Sequence, residues 1–291
     1  MTVGIRVRLA GGLLAVMMAA AAVAGDRPSR LPKVLPATTV AAGWRQPVDD
    51  WAGARDRAMT DPDWAEWVAQ KRTRVDDWMA RRRDRMTWVA GWGHEFVSPR
   101  DGSYLTFTPE VPGEEGATLS SPSDPEVAVT PTLFRAWVTK FRGRHMIAIK
   151  DAAYLGRLTG EARYRDWAAA QLDFYAKHWT EWPLQDRFYG PSRLFAQPLM
   201  DAAYLNHILM AARLLRPEVD AERWARWCEQ LFLPQAELLG QSMQRVHNIA
   251  GYLRGAAGHA ALVCEDDALW REAIEGEWGL RSQLADGVTG D

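Results

Sequence analysis

The chain has 291 residues, of which 47% are hydrophobic and 25% charged, a composition typical of a globular protein with a sizeable core. Its 35 basic and 37 acidic residues give a net charge of −2, which argues against general binding of nucleic acid or of anionic membranes. An acidic polymer would have to bind through a local basic patch.

The N-terminus has the organisation of a signal peptide. Arg6 and Arg8 precede an apolar run over residues 9–23, and Ala22-Val23-Ala24 fits the small-residue rule for cleavage. The run is short for a membrane span, so we predict a signal peptide over residues 1–24 with cleavage after Ala24. We therefore expect a periplasmic or secreted protein without stable membrane insertion. Without this segment the chain has 33 basic and 37 acidic residues, a net charge near −4.

The next part of the chain combines a linker, a helix and a small β segment. Three prolines among small and polar residues indicate a linker over 25–45, followed by an N-terminal region over 46–130. Apolar residues at helical spacing predict a helix over 63–85, with Asp63 as a plausible cap. Alternating residues around a Pro-Arg-Asp-Gly turn predict two strands within a β-excursion near residues 88–129. The predicted strands are 92–97 and 103–108, and 114–125 is predicted to be loop.

From residue 131 onwards the pattern is helix after helix, which defines a second region over 131–291. A weak repeat runs through it, because Asp151-Ala-Ala-Tyr154-Leu155 recurs as Asp201-Ala-Ala-Tyr204-Leu205. Repeated antiparallel helix pairs are typical of a solenoid or a closed toroid. The predicted helices are 133–157, 161–179, 194–215, 220–232, 235–243, 247–264 and 267–276.

The helix predicted over 247–264 carries a polar face opposite its apolar stripe. Asn248, Tyr252, Gly255 and His259 are separated by four, three and four residues, so they share one side of the helix. Such a face either lines a wet cleft or belongs to a partly solvated helix whose polar groups are satisfied.

A second polar stripe is predicted on a helix that opens near Ser192. Arg193, Gln197, Asp201 and Tyr204 fall on one face if that helix is continuous, although Pro198 could kink it or mark its first turn. Arg193 would then either bind a carboxylate or sulfate through two parallel hydrogen bonds, or join Asp201 in a network between helices.

Cys228 and Cys264 are the only cysteines, and either a disulfide or two buried thiols fits their apolar surroundings. No CxxC or HxxxH spacing is present, so we predict neither a metal site nor a cofactor.

Five segments resemble the heparinase II/III-like and alginate-lyase-like polysaccharide lyases, in the order expected for that family. This resemblance implies a mainly α fold, an (α/α) toroid of antiparallel helix pairs that is followed in the family by a β-sandwich. The matching segments are 91–96 with 102–105, 182–185, 192–197, 246–249 and 279–287.

The resemblance implies β-elimination on a uronic-acid polysaccharide. The reaction requires neutralisation of the C5 carboxylate, a base for the C5 proton and an acid for the leaving oxygen. Asn248 falls on the asparagine that neutralises the carboxylate in these lyases, and His247 flanks it. Arg193 and Gln197 fall on a cleft-lining segment. The remaining predicted substrate-binding residues are Tyr189, Tyr252 and His259.

The sequence departs from the family at two places. Ile249 stands where the alginate-lyase branch has a histidine, which leaves His247 and His259 as substitute bases. After the Asp286-Gly287 turn the family continues into a tyrosine that serves in proton transfer and into the β-sandwich, both absent here. We therefore expect an incomplete toroid, an N-terminal fragment of a longer lyase or a truncated gene product, with little activity by itself.

Two other classes of function remain open from the sequence. A toroidal glycoside hydrolase would need two carboxylates across a cleft, for which Asp151, Asp201 and Asp286 are candidates. A non-catalytic module would bind sugar without cleaving it.

Overall fold

The computed structural model describes residues 49–114, 116–187 and 189–287, and within them the chain is mainly helical, as predicted. The predicted signal peptide and linker lie outside these residues. The helices are α1 (Trp51–Thr60), α2 (Pro62–Arg81), α3 (Pro131–Thr159), α4 (Ala162–His178), α5 (Pro198–Leu215), α6 (Ala221–Trp227), α7 (Leu233–Gly240), α8 (Asn248–Cys264), α9 (Asp267–Glu275) and α10 (Leu280–Gly287). The strands are β1 (Leu119–Ser121), β2 (Asp124–Val127), β3 (Gln185–Asp186) and β4 (Pro191–Ser192).

Helix α2 is shorter than the helix predicted over 63–85. Asp61, not Asp63, is the cap, and its carboxylate accepts the N–H groups of Asp63 and Trp64 at 3.0 and 3.4 Å. Pro62 occupies the first turn, where a missing N–H costs nothing. The helix ends at Arg81 because the chain beyond it becomes extended at Arg82 and then buries Asp84 against α3.

The small β segment lies within 88–129, but its strands are not the predicted ones. The predicted strands form only two isolated bridges, Val97 with Tyr104 and Thr106 with Ser120. The antiparallel pair β1–β2 instead occupies the stretch predicted to be loop. Its Leu119 is fully buried in an aromatic cluster with Trp137, so burial of one apolar residue outweighs the loop-like composition.

Helices α3, α4 and α5 form the centre of the fold. Gly160, in the left-handed conformation with φ of 78°, ends α3, and α4 returns antiparallel to it. Helix α5 runs parallel to α3, because Tyr204 lies against Gly143, while Arg157 near the end of α3 pairs at 3.5 Å with Glu218 just after α5. Helix α8 packs beside α5, α4 contacts both α3 and α5, and α7 contacts both α5 and α8.

Cys228 and Cys264 form a disulfide, which decides between the two alternatives that the sequence left open. The bond joins Cα atoms 5.6 Å apart. Cys228 opens a single π-helical turn, Cys228–Phe232, between α6 and α7, and Cys264 is the last residue of α8. The disulfide therefore fixes the end of α8 to the helical run over 221–240.

A buried ion pair joins the chain after α2 to the core. The Arg142 guanidinium donates to both oxygens of Asp84, from Nε at 2.7 Å and from Nη2 at 3.3 Å, and also to the carbonyls of Trp88 and Leu194. The Tyr175 hydroxyl donates to Asp84 at 2.6 Å. Burial alone would raise the pKa of Asp84, but the charge and hydrogen bonds of Arg142 outweigh it and hold that pKa below its usual value.

Arg142→Met should destabilise the fold by about 3–5 kcal/mol, because it leaves the Asp84 carboxylate buried without its cation. Arg163→Gln is the matched control: Arg163 pairs with Asp76 at 2.8 Å, but its side chain is 50% exposed, so the expected loss is below about 1 kcal/mol. Urea unfolding measures both, and equal losses would contradict the role assigned to Arg142.

Candidate functional site

Three segments that carry predicted site residues meet at the N-terminal ends of α5 and α8. The β3–β4 hairpin packs on the turn before α8, since a Cβ placed on Gly190 would lie 3.1 Å from Ser242 Cα. Gln185 Nε2 in the same hairpin donates to the carbonyl of Phe195 at 3.3 Å. We define the candidate site as residues 185–187, 189–197 and 241–252, which include Tyr189, 50% exposed at the hairpin tip.

The polar face of α8 is open at its N-terminal half. Asn248 is the first helical residue and is exposed, and Tyr252, one turn further, is 58% exposed. A Cβ placed on Gly251 or Gly255 would meet no atom within 4 Å from any neighbouring element of the described structure. Asn248 and Tyr252 therefore lie on an accessible helix face on which a ligand can rest.

His247 caps α8. Its Nδ1 accepts the N–H of Ile249 at 3.1 Å, and its own backbone N–H donates to Gln283 Oε1 at 2.9 Å. A ring nitrogen that accepts a hydrogen bond carries no proton, so the neutral ring has its proton on Nε2. The imidazole beside Asn248 is thus set up as a hydrogen-bond donor through Nε2.

His259 lies deeper along the same helix. Its Nδ1 is 2.9 Å from Asn206 Oδ1, and burial, with a contribution from the positive charge of Arg213, lowers the pKa of His259 to about 4. An amide oxygen only accepts, so Nδ1 donates and Nε2 is free to accept. His259 is separated from Asn248 by eleven residues, about 16 Å along the helix axis. The two side chains therefore cannot act on the same sugar carbon.

The second predicted stripe is interrupted. Helix α5 begins at Pro198 with Gln197 as its half-buried N-cap, while Ser192 belongs to β4, so Arg193 lies outside the helix. Proline suits the first helical position, which explains this start. Asp201 in the first turn accepts the backbone N–H groups of Arg193 at 2.8 Å and Phe195 at 3.1 Å.

The Arg193 guanidinium bonds to backbone. Its Nη1 donates to the carbonyls of Thr180 at 3.0 Å and Trp182 at 2.6 Å, and its Cζ lies 4.6 Å from the ring centroid of Trp179. These contacts tie the end of α4 to the segment before α5. They favour a network between elements over a free fork for a sugar carboxylate.

Sequence reasoning missed the contribution of α3 to the rim of the site. Tyr204 stacks on Phe195 with centroids 4.9 Å apart and an interplanar angle of 19°, and it lies over Gly143. Burial raises the pKa of Tyr204, and the positive charge of Arg144 acts in the opposite direction. Lys140 and Arg144, four residues apart on α3, are both exposed. Their spacing of four residues was the only feature of the sequence that could have indicated a shared basic face.

The chain is similar in sequence to two proteins named as alginate lyases. An alginate lyase of Stenotrophomonas maltophilia is 28% identical over 138 residues, and an exo-oligoalginate lyase of Saccharophagus degradans is 27% identical over 140 residues. Each match covers 46% of this chain but only 19% of the length of the relative. No family model matches the chain. These matches support the alginate-lyase-like part of the resemblance; they do not confirm its heparinase II/III-like part.

The pH dependence of stability tests the environment of His259. Above pH 6.5 the ring is neutral in both the folded and the unfolded protein, so burying it carries no cost of losing a proton. Between pH 6.5 and 4 the unfolded ring binds a proton that the folded ring, with a pKa of about 4, does not. Relative to that of the His259→Gln variant, the free energy of unfolding of the native protein should therefore fall by up to about 3 kcal/mol as the pH falls through this window. Urea unfolding measures the difference, and a constant difference across the window would contradict it.

Proposed function

We propose that the chain functions as an exported lyase that cleaves a uronic-acid polysaccharide by β-elimination. The similarity to two alginate lyases carries this proposal. The open face at the start of α8 supports it, because the asparagine that the resemblance assigns to carboxylate neutralisation is exposed there. An acidic polysaccharide is accordingly the proposed substrate class.

Asn248 is proposed to neutralise the C5 carboxylate. Its amide donates hydrogen bonds, and its place as the first residue of α8 adds the positive partial charge of a helix N-terminus. His247 Nε2–H provides a second donor beside it. Donors aimed at a carboxylate become more stabilising as the C5 proton leaves, because the charge then spreads into an enolate.

Tyr252 and Tyr189 are proposed to form walls of the sugar site. Tyr252 lies four residues from Asn248 on the same face, so a sugar held by the amide lies beside the phenol ring. Large exposed aromatic rings offer flat apolar contact together with a hydroxyl. His259, about 16 Å from Asn248 along the axis, would contact a different sugar of the same polymer.

We also propose the toroid and the export. Parallel α3 and α5 with α8 beside them correspond to an inner helix layer, and α4, α7 and α9 to an outer one. The disulfide supports an oxidising compartment. In the described residues no helix is long and apolar enough to cross a membrane.

The hydrolase alternative finds little support among the candidate carboxylates. Asp201 is fully buried and accepts backbone N–H groups, and Asp151 is bound to Lys71 at 2.9 Å. Asp286 is exposed on α10, at the end of the described chain.

The proposal is tested by incubating the full-length gene product with a panel of uronic-acid polymers that includes alginate and heparan-type chains. A lyase creates a C4–C5 double bond, so ultraviolet absorbance should rise together with new chain ends. New ends without absorbance would mean hydrolysis, and saturable binding without cleavage would mean a binding module; either result overturns the proposal.

Asn248→Ala should lower kcat of the active protein about 100- to 1,000-fold, as expected when one preorganised donor is removed from a developing oxyanion. The melting temperature should change little, because the side chain is exposed. Gln230→Ala is the matched control, since it removes an exposed amide from the π-helical turn Cys228–Phe232, outside the candidate site. Wild-type turnover of Asn248→Ala would show that the site is assigned to the wrong residue.

A further inference from the structure

A chain with a net charge of −2 needs a local basic patch to hold an acidic polymer. The densest basic run, four arginines within 81–85, lines a cavity of about 180 Å³ at the end of α2. Three of the four arginines pair with acids and the Arg83 guanidinium donates to backbone carbonyls, so the run offers a ligand less charge than its composition suggests. Its bonds are Arg81 with Asp77, Arg82 with Glu110, Arg85 with Glu114, and Arg83 with the carbonyls of Met79 and Arg82.

Lys140 and Arg144 differ from that run. Both side chains are exposed on α3, and their spacing of four residues places them on one face. No ion pair joins either of them to an acid anywhere in the described ranges 49–114, 116–187 and 189–287. Their charge is therefore available to a ligand.

Contacts connect both cations to the candidate site. Arg144 directly follows Gly143, against which Tyr204 lies, and Tyr204 stacks on Phe195 in the site segment. Lys140 Nζ would lie 3.9 Å from a Cβ placed on Gly93, the first residue of the turn Gly93–Glu95.

The same turn brings an acid to this rim, but the acid is already paired. Glu95 binds Arg187 of the β3–β4 hairpin at 3.0 Å. Exposed Asp186 of the same hairpin offsets one cation, so Lys140 and Arg144 leave the rim between the hairpin and α3 with a small net positive charge on an acidic protein.

We propose that Lys140 and Arg144 form a subsite for carboxylates of sugars that flank the one held at Asn248. This inference rests on the proposed function and adds to it a requirement for polymer length. Their Cβ atoms lie about 6 Å apart, so a chain with a carboxylate on each sugar can pair with both cations. Helix α5 contacts both α3 and α8, and packed helix axes lie about 8–10 Å apart, so a disaccharide held at Asn248 is too short to extend from α8 across α5 to α3.

The test compares two double variants of the full-length protein that lose the same charge. Lys140→Gln/Arg144→Gln removes the subsite, and Lys177→Gln/Arg271→Gln removes two exposed cations from α4 and α9. Calorimetric titration uses alginate disaccharide and longer alginate oligosaccharides at low and high salt. Melting temperatures confirm that both variants fold.

The subsite variant should bind the longer oligosaccharides about tenfold more weakly at low salt, with an unchanged affinity for disaccharide and a smaller loss at high salt. On the polymer its KM should rise while kcat is kept. The affinity of the control variant for the longer oligosaccharides should lie within about twofold of that of the native protein. If the subsite variant also binds these oligosaccharides with native affinity, the assignment of the subsite is wrong and the proposed function stands. If the native protein neither binds nor cleaves any uronate, the proposed function fails.

Discussion

The buried guanidinium of Arg142 is the interaction on which the arrangement of the site depends. A charge removed from water is stable only when its donors are satisfied, and this one uses the Asp84 carboxylate and the carbonyls of Trp88 and Leu194. These partners come from distant parts of the sequence, so their shared need for one cation fixes both segments against the same turn of α3. Asp201 holds the adjacent peptide N–H groups from α5. The segment before α5 is thus held through its backbone as well as through the side chain of Arg193.

Local patterns were sufficient to predict α3, α4, α8 and α9 to within two residues, whereas α1 and α10 were not predicted. Helix α8 was predicted over 247–264 and runs from Asn248 to Cys264. The agreement is close because the apolar stripe and the capping residue, His247, both lie within this short stretch of sequence. The helices predicted over 133–157 and 161–179 leave Gly160 between them, and Gly160 ends α3 in the left-handed conformation that favours glycine. The exposed positions of Asn248 and Tyr252 also follow from the periodicity of α8 alone.

What depends on distant partners was not predictable. The amphipathic pattern of α2 continues to residue 85, yet the helix ends at Arg81, because Asp84 meets a cation 58 residues away. The stripe that began at Arg193 assumed a continuous helix, whereas Asp201 bonds back to the backbone before Pro198. Exposed cations such as Lys140 have no local signature that separates a ligand-facing residue from a solvated one.

The contact between Gly143 and Tyr204 carries a consequence for how this sequence can change over evolution. A methyl group at residue 143 would lie 2.5 Å from the phenol, and the ring cannot move aside easily, because Phe195 stacks on it. A larger residue at 143 is therefore tolerated only with a smaller one at 204. The two positions are expected to covary among homologues, and an exchange of α3 between relatives should succeed only when its partner on α5 is transferred with it.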